Sequence, residues 1–151
     1  MYNSYVNDMA TPSSTNPAGK PTIFSLLEAA HALEDRVEEA LEAVGLSSPK
    51  LSVLTALVED GTALSLSELA ARLSCVKSNM TQLVDRLEAE QLVRRVDCPN
   101  DRRSVKAEIT PEGKKRQAAG AAAIAKLESD FASNVSVRDR AVLQRLLGAL
   151  T

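Results

Sequence analysis

The chain has 151 residues, 44% of them hydrophobic, and a formal net charge of −2. That is one domain's worth of sequence, with enough apolar content for an ordinary core and no need of a disulfide framework. Two cysteines, Cys75 and Cys98, and a single histidine, His31, give neither a cystine scaffold nor a zinc-ligand spacing. No apolar run approaches the ~20 residues of a membrane span, and the first twenty residues lack the order of a secretion signal. The expectation is a cytoplasmic protein with no membrane, metal or cofactor.

The small net charge conceals an uneven distribution. From Glu68 to Arg116 there are eleven Lys/Arg against eight Asp/Glu, and the rest of the chain carries seven against twelve. A basic segment within an acidic body suits a protein that offers one face to a polyanion.

Residues 1–20, rich in Asn, Ser, Thr and Pro, form an arm with little to bury, expected to be flexible. Thr22 to Val44 carries an apolar stripe of helical period closed by Gly45. Ser48-Pro49 supplies an N-cap and first-turn proline for a second helix, with Leu51, Leu54, Leu57 and Val58 inward and a stop at Asp60-Gly61. Ser65 and Glu68 form a capping box that opens a short helix to about Leu73. The next helix runs from about Lys77 to Glu90, burying Met80, Leu83, Val84 and Leu87. Leu92–Val96 and Val105–Ile109 alternate as two strands across a turn at Asp97–Asp101. Thr110-Pro111 then opens an alanine-rich helix to about Ala132, and Ser136 with Asp139 opens a last helix carrying Val142, Leu143, Leu146, Leu147 and Leu150. The fold class is mainly α with a small β-hairpin wing: a winged helix-turn-helix with helices added at both ends. A winged unit needs no such additions for its own core, so those helices are expected to pair with a second copy of the chain.

A DNA-reading helix needs a polar face near its N-terminus backed by a buried one. Lys77, Ser78, Asn79, Thr81 and Gln82 meet that requirement, with Arg86 one turn on. Asn and Gln suit adenine edges, Lys suits guanine or phosphate, and hydroxyls suit either. Arg94, Arg95, Arg102, Arg103 and Lys106 surround the hairpin, and five cations so close repel one another unless phosphate joins them. An arginine at the tip can enter a minor groove, with Asp101 placed to orient Arg103. Ser65, at the start of the first helix of the pair, completes the candidate DNA-binding set.

The run Asp101-Arg102-Arg103-Ser104-Val105-Lys106-Ala107-Glu108-Ile109-Thr110-Pro111-Glu112-Gly113 resembles the D-x-R-x-x-x-L-x-L-T-x-x-G wing signature of the MarR family, the multiple antibiotic resistance regulators. Leu66 to Val93 is similar to that family's paired-helix pattern. Three positions depart from it: Val76 stands where an N-capping Ser or Asp is frequent, Gln91 where Gly is frequent, and Ala107 where the wing has leucine. The resemblance implies one MarR-like domain over 21–151, with 48–110 as the winged helix-turn-helix and 22–45 and 111–151 as dimerisation helices. It further implies a homodimeric transcription factor, usually a repressor, on a pseudo-palindromic double-stranded DNA operator, released by a small phenolic or anionic effector. The minor-groove arginine falls on Arg103. The family's ligand pocket would fall on His31, Arg36, Leu51 and Val53. An alternative within the family is oxidant sensing through Cys98, with Cys75 a packing residue; outside it, a winged-helix module that binds protein. An enzyme is not expected, because no nucleophile with a positioned base can be assembled.

Overall fold

The computed structural model describes residues 23–98 and 101–149, and for Cys98 and residues 101–104 the backbone alone. The order is α1 (Ile23–Glu42), α2 (Ser48–Asp60), β1 (Leu64–Ser65), α3 (Leu66–Arg72), α4 (Lys77–Ala89), β2 (Val93–Cys98), β3 (Asp101–Ile109), α5 (Pro111–Asn134) and α6 (Val137–Gly148). The three strands form one antiparallel sheet in the order β1-β3-β2. The expected arm at 1–20 and the middle of the expected turn, Pro99-Asn100, lie outside the described residues.

The core lies within the winged unit and under its junction with α1 and α5. Leu41, Val53, Leu54, Leu57, Leu69, Met80, Val84, Leu87, Leu92, Val93 and Ala107 are all buried in one cluster. Each of these leucine, valine and methionine side chains contributes about 1.5–3 kcal/mol by leaving water. The α5 backbone comes close to this cluster at Gly120, where an added methyl would lie 2.8 Å from Leu46 Cδ1 and 2.9 Å from Leu51 Cδ1.

One junction fixes the winged unit's geometry. Between α4 and β2 the chain turns at Gln91, whose φ of 61° is left-handed. Thr110, at the far end of β3, donates its hydroxyl to the Gln91 carbonyl at 2.7 Å and its N–H to the Leu92 carbonyl at 3.1 Å. The same hydroxyl accepts from Gly113 N–H at 2.9 Å and so caps α5. Gly113 must be glycine because a Cβ there would lie 2.0 Å from the Leu92 carbonyl oxygen. The T-x-x-G spacing is therefore a packing device that ties the ends of α4, β3 and α5 together.

Several sequence expectations change. The α2 N-cap is Ser47, with Ser48 the first helical residue. The Ser48 N–H instead donates to the Glu38 carboxylate of α1 at 3.1 Å, so a neighbouring helix closes that end. In α2 the buried residues are Val53, Leu54, Ala56 and Leu57, while Val58 is 40% exposed, because α2 is covered from two sides and its stripe is rotated accordingly. The hairpin has a third strand: Leu64 and Ser65 pair with Ala107 and Lys106. The expected turn is also shorter, since Asp97, Cys98 and Asp101 belong to strands, with a register shift between Asp97 and Cys98.

The helices at the two ends leave apolar surface uncovered in the single chain. Of α1 only Leu41 is buried, with Ile23 and Phe24 70% and 72% exposed. Among the described residues, α6 has none buried.

Two substitutions test the junction. Gly113→Ala should cost about 3 kcal/mol, at the upper end of overpacking penalties, because backbone rather than a flexible side chain must yield. Gln91→Gly should stabilise by up to about 1 kcal/mol, since the left-handed conformation suits glycine. Thermal denaturation followed by circular dichroism should place the two midpoints on opposite sides of the parent's.

Candidate nucleic-acid interface

The pair α3 and α4 is set by two different helix starts. At α3 the Ser65 hydroxyl accepts from Glu68 N–H at 3.2 Å and the Glu68 carboxylate accepts from Ser65 N–H at 2.7 Å, the reciprocal capping box read from the sequence. These bonds, the Ser65 backbone N–H foremost, hold the Glu68 carboxyl below its ordinary range, and Lys106 adds to the effect. At α4 the N-cap is Val76, and no side-chain hydrogen bond closes the first turn.

Within α4 the polar and apolar faces separate as the period requires. Met80, Val84 and Leu87 are buried, Leu83 packs at the core edge, and Lys77, Ser78, Asn79, Gln82 and Arg86 are exposed. Thr81 is half-buried and donates its hydroxyl back to the Lys77 carbonyl at 3.1 Å, which ties it to the helix. The structure thus brings Lys77, Ser78, Asn79 and Gln82 together as one exposed surface at the helix start.

The wing divides its cations. Arg94 pairs across the hairpin with Glu108, its register partner, at 2.5 Å. Arg95, on the opposite face of β2, reaches α4 instead: its guanidinium bonds Asp85 and, at 2.8 Å, Glu88, while its N–H donates to Glu88 at 3.1 Å. Asp85 foremost, with Glu88, raises the Arg95 pKa above the ordinary guanidinium value. Both arginines were expected to grip DNA, and in this structure both guanidinium groups are occupied by carboxylates of the same chain. Lys106 lies half-buried on β3, its charge acting on Asp60 and Glu68. The side chains of Asp101, Arg102, Arg103 and Cys98 lie outside the described residues, although Asp101–Arg103 begin β3.

The partners of Arg95 are what sequence reasoning missed. Their signal was two carboxylates three apart on one side of a helix, followed by an arginine on the next strand.

The expected ligand residues do not converge within one chain. His31 and Arg36 are exposed on α1, Leu51 is half-buried and packs on the core, and Val53 is fully enclosed within it. Arg36 lines an open groove of about 510 Å³ between α1 and α5, where Arg36 and Lys126 stand with Glu39 and Asp130 around an apolar floor of alanines and Leu127. Leu51 lines a different groove, against α3. Cys75 is half-buried beside the core cluster. No described helix is long and apolar enough to cross a membrane, and among the described residues no group of three or more His, Cys, Asp and Glu could hold a metal ion.

An α3–α4 pair flanked by a three-stranded wing defines a winged helix-turn-helix protein. The MarR family profile matches residues 46–105, which takes in α2, α3, α4 and β2 and ends within β3. The transcriptional regulator PrsX of Escherichia coli is 35% identical over 82 residues, 54% of this chain and 49% of its own. YhbI, a helix-turn-helix-type regulator of Bacillus subtilis, is 28% identical over 86% of each chain. AbsC, a MarR family regulator of Streptomyces coelicolor, superposes with a TM-score of 0.70 at 27% identity, over 84% of this chain and 87% of its own. The winged part of the chain is thus similar to the MarR family, and the chain spans about half the length of PrsX.

The capping box carries a pH prediction. Because the folded-state pKa of Glu68 is depressed, its contribution is fully present above the ordinary glutamate range and is lost as pH falls through the folded value. A urea-midpoint series from neutrality down to about pH 3 should therefore show a shallower acid decline for Glu68→Gln than for the parent.

Proposed function

We propose that this chain is a sequence-specific DNA-binding transcriptional regulator that acts as a homodimer. The observation that carries the reading is the exposed Lys77, Ser78, Asn79 and Gln82 surface on α4, backed by buried Met80, Val84 and Leu87 and flanked by the wing. In this reading Asn79 and Gln82 read base edges, Lys77 and Arg86 meet phosphate or guanine, and Arg103 enters the neighbouring minor groove with Asp101 orienting it. Ser65, at the α3 start, offers its hydroxyl to the backbone, with Lys106 beside it.

Homodimerisation is supported by the uncovered apolar side chains of the end helices, Ile23, Phe24, Leu26, Leu27 on α1 and Val142, Leu143, Leu146, Leu147 on α6. Scattered exposed leucines need no explanation, but two helices at opposite ends of the chain with apolar faces this open do. Two copies related by a two-fold axis would present two α4 helices to successive major grooves, about 34 Å apart, and so select a pseudo-palindromic operator. Repression would follow from occupancy of that operator. Release by a small phenolic or anionic effector is the regulatory reading, and the open α1–α5 groove is its candidate place, with Arg36 and Lys126 on its walls beside Glu39 and Asp130.

Mobility shifts on DNA from the upstream region of the protein's own gene test the reading. A dimer touching several phosphates should lose affinity steeply between about 50 and 200 mM salt. Gln82→Ala should relax sequence preference at one position, at about 1–3 kcal/mol, whereas Arg103→Ala should weaken binding to every sequence. Absence of any salt-sensitive complex would remove the DNA-binding reading. Leu146→Glu on α6 should shift the sedimenting species from dimer to monomer, and a dimer unchanged by this variant would count against the α6 interface.

A further inference from the structure

We propose that Arg95 is a positioning residue, which locks the wing to the DNA-reading helix and keeps the carboxylates of Asp85 and Glu88 away from DNA phosphate, and that it is not itself a phosphate contact. The inference rests on the DNA-binding reading above and concerns how that surface achieves specificity.

The geometry is a two-point attachment. At one end α4 runs into β2 through the short turn at Gln91-Leu92, held by Thr110. Further along β2, Arg95 reaches back to Asp85 and Glu88, one turn apart on α4. One attachment alone would leave the wing free to pivot about the turn, and two fix its angle to the helix. That angle decides whether the wing tip and the base-reading residues can engage the same stretch of DNA, and such sites tolerate only small displacements.

Charge makes the arrangement functional as well as rigid. Asp85 lies on the same helix as the base-reading residues and is 53% exposed at its side chain. A carboxylate so placed opposes phosphate unless a cation accompanies it. Arg95 supplies that cation from inside the protein. Its guanidinium fork can serve two carboxylates at once, which a lysine ammonium does less well in fixed directions. The cross-strand neighbour of Arg95 on β3 is Ala107, the smallest side chain in that part of the sheet interior. A leucine there, as the wing signature has, would compete for space on the face that Arg95 crosses.

The test compares operator and random DNA across a salt series. Arg95→Met combined with Glu88→Gln removes the clamp without changing net charge. Its expected behaviour is a salt slope equal to the parent's, with discrimination between operator and random DNA reduced about tenfold, the scale of coupling within one charged network. A slope smaller by about 1, with operator and random DNA weakened alike, would identify Arg95 as a phosphate contact and overturn the proposal. A charge-reversed variant, Arg95→Glu with Asp85→Arg and Glu88→Gln, should recover most of the discrimination, because an ion pair of either polarity ties the two elements. Failure of that rescue, in a variant whose circular dichroism and melting match the parent's, would equally overturn the clamp. If the parent protein itself forms no salt-sensitive complex, the DNA-binding reading fails first, so the two failures are distinguishable.

Discussion

The winged unit depends on the hydrogen bonds that Thr110 makes to the carbonyls of Gln91 and Leu92, with the Gly113 backbone pressed against them. Backbone carbonyls away from water need partners, and a chain that ends a helix, turns and starts a strand within three residues leaves several to satisfy. Thr110 satisfies both with one residue and uses the same hydroxyl to start α5. The end of α4, the base of the wing and the start of the long helix α5 are therefore one joint. A displacement of α5 is felt at α4 without any long relay.

A second joint ties the opposite side. Glu38 of α1 accepts from the first N–H of α2, and Lys50, two residues into α2, pairs with Glu90 at the end of α4 at 2.5 Å. The end helices α1 and α5 thus each reach α4 through a short set of named bonds. Exposed ion pairs contribute little to stability, at about 0–1 kcal/mol each, so these contacts matter for orientation more than for holding the fold together. Stability comes from the leucine, valine and methionine cluster that α2, α3, α4 and the sheet enclose.

Local rules made much of this readable in the sequence. The Ser65–Glu68 box, the split of α4 into a buried and a polar face, and the glycine of T-x-x-G all follow from spacings of three or four residues. What escaped depended on distant partners. Arg95 reads identically as a phosphate contact or as a clamp until Asp85 and Glu88 are placed beside it. Ser47 displaced Ser48 as N-cap because Glu38, ten residues back, took the Ser48 N–H. Val53 was assigned to a pocket by analogy, and the close approach of α2 to its neighbours enclosed it instead. A two-residue strand such as Leu64-Ser65 has no alternation to detect. The polar face on α4 was legible as a surface, whereas the pairing of Arg94 and Arg95 with internal carboxylates was not.

In the proposed dimer, two copies of this chain present their α4 surfaces to one DNA duplex at a spacing fixed by the end helices. Selection of genomic fragments by the purified full-length protein, followed by footprinting of the enriched sequences, tests it most directly. The expected outcome is an enriched pseudo-palindrome whose two protected half-sites are centred about one helical turn, 10–10.5 base pairs, apart or a multiple of it. Enrichment of no common sequence, or protection of a single half-site with no symmetry mate, would contradict it.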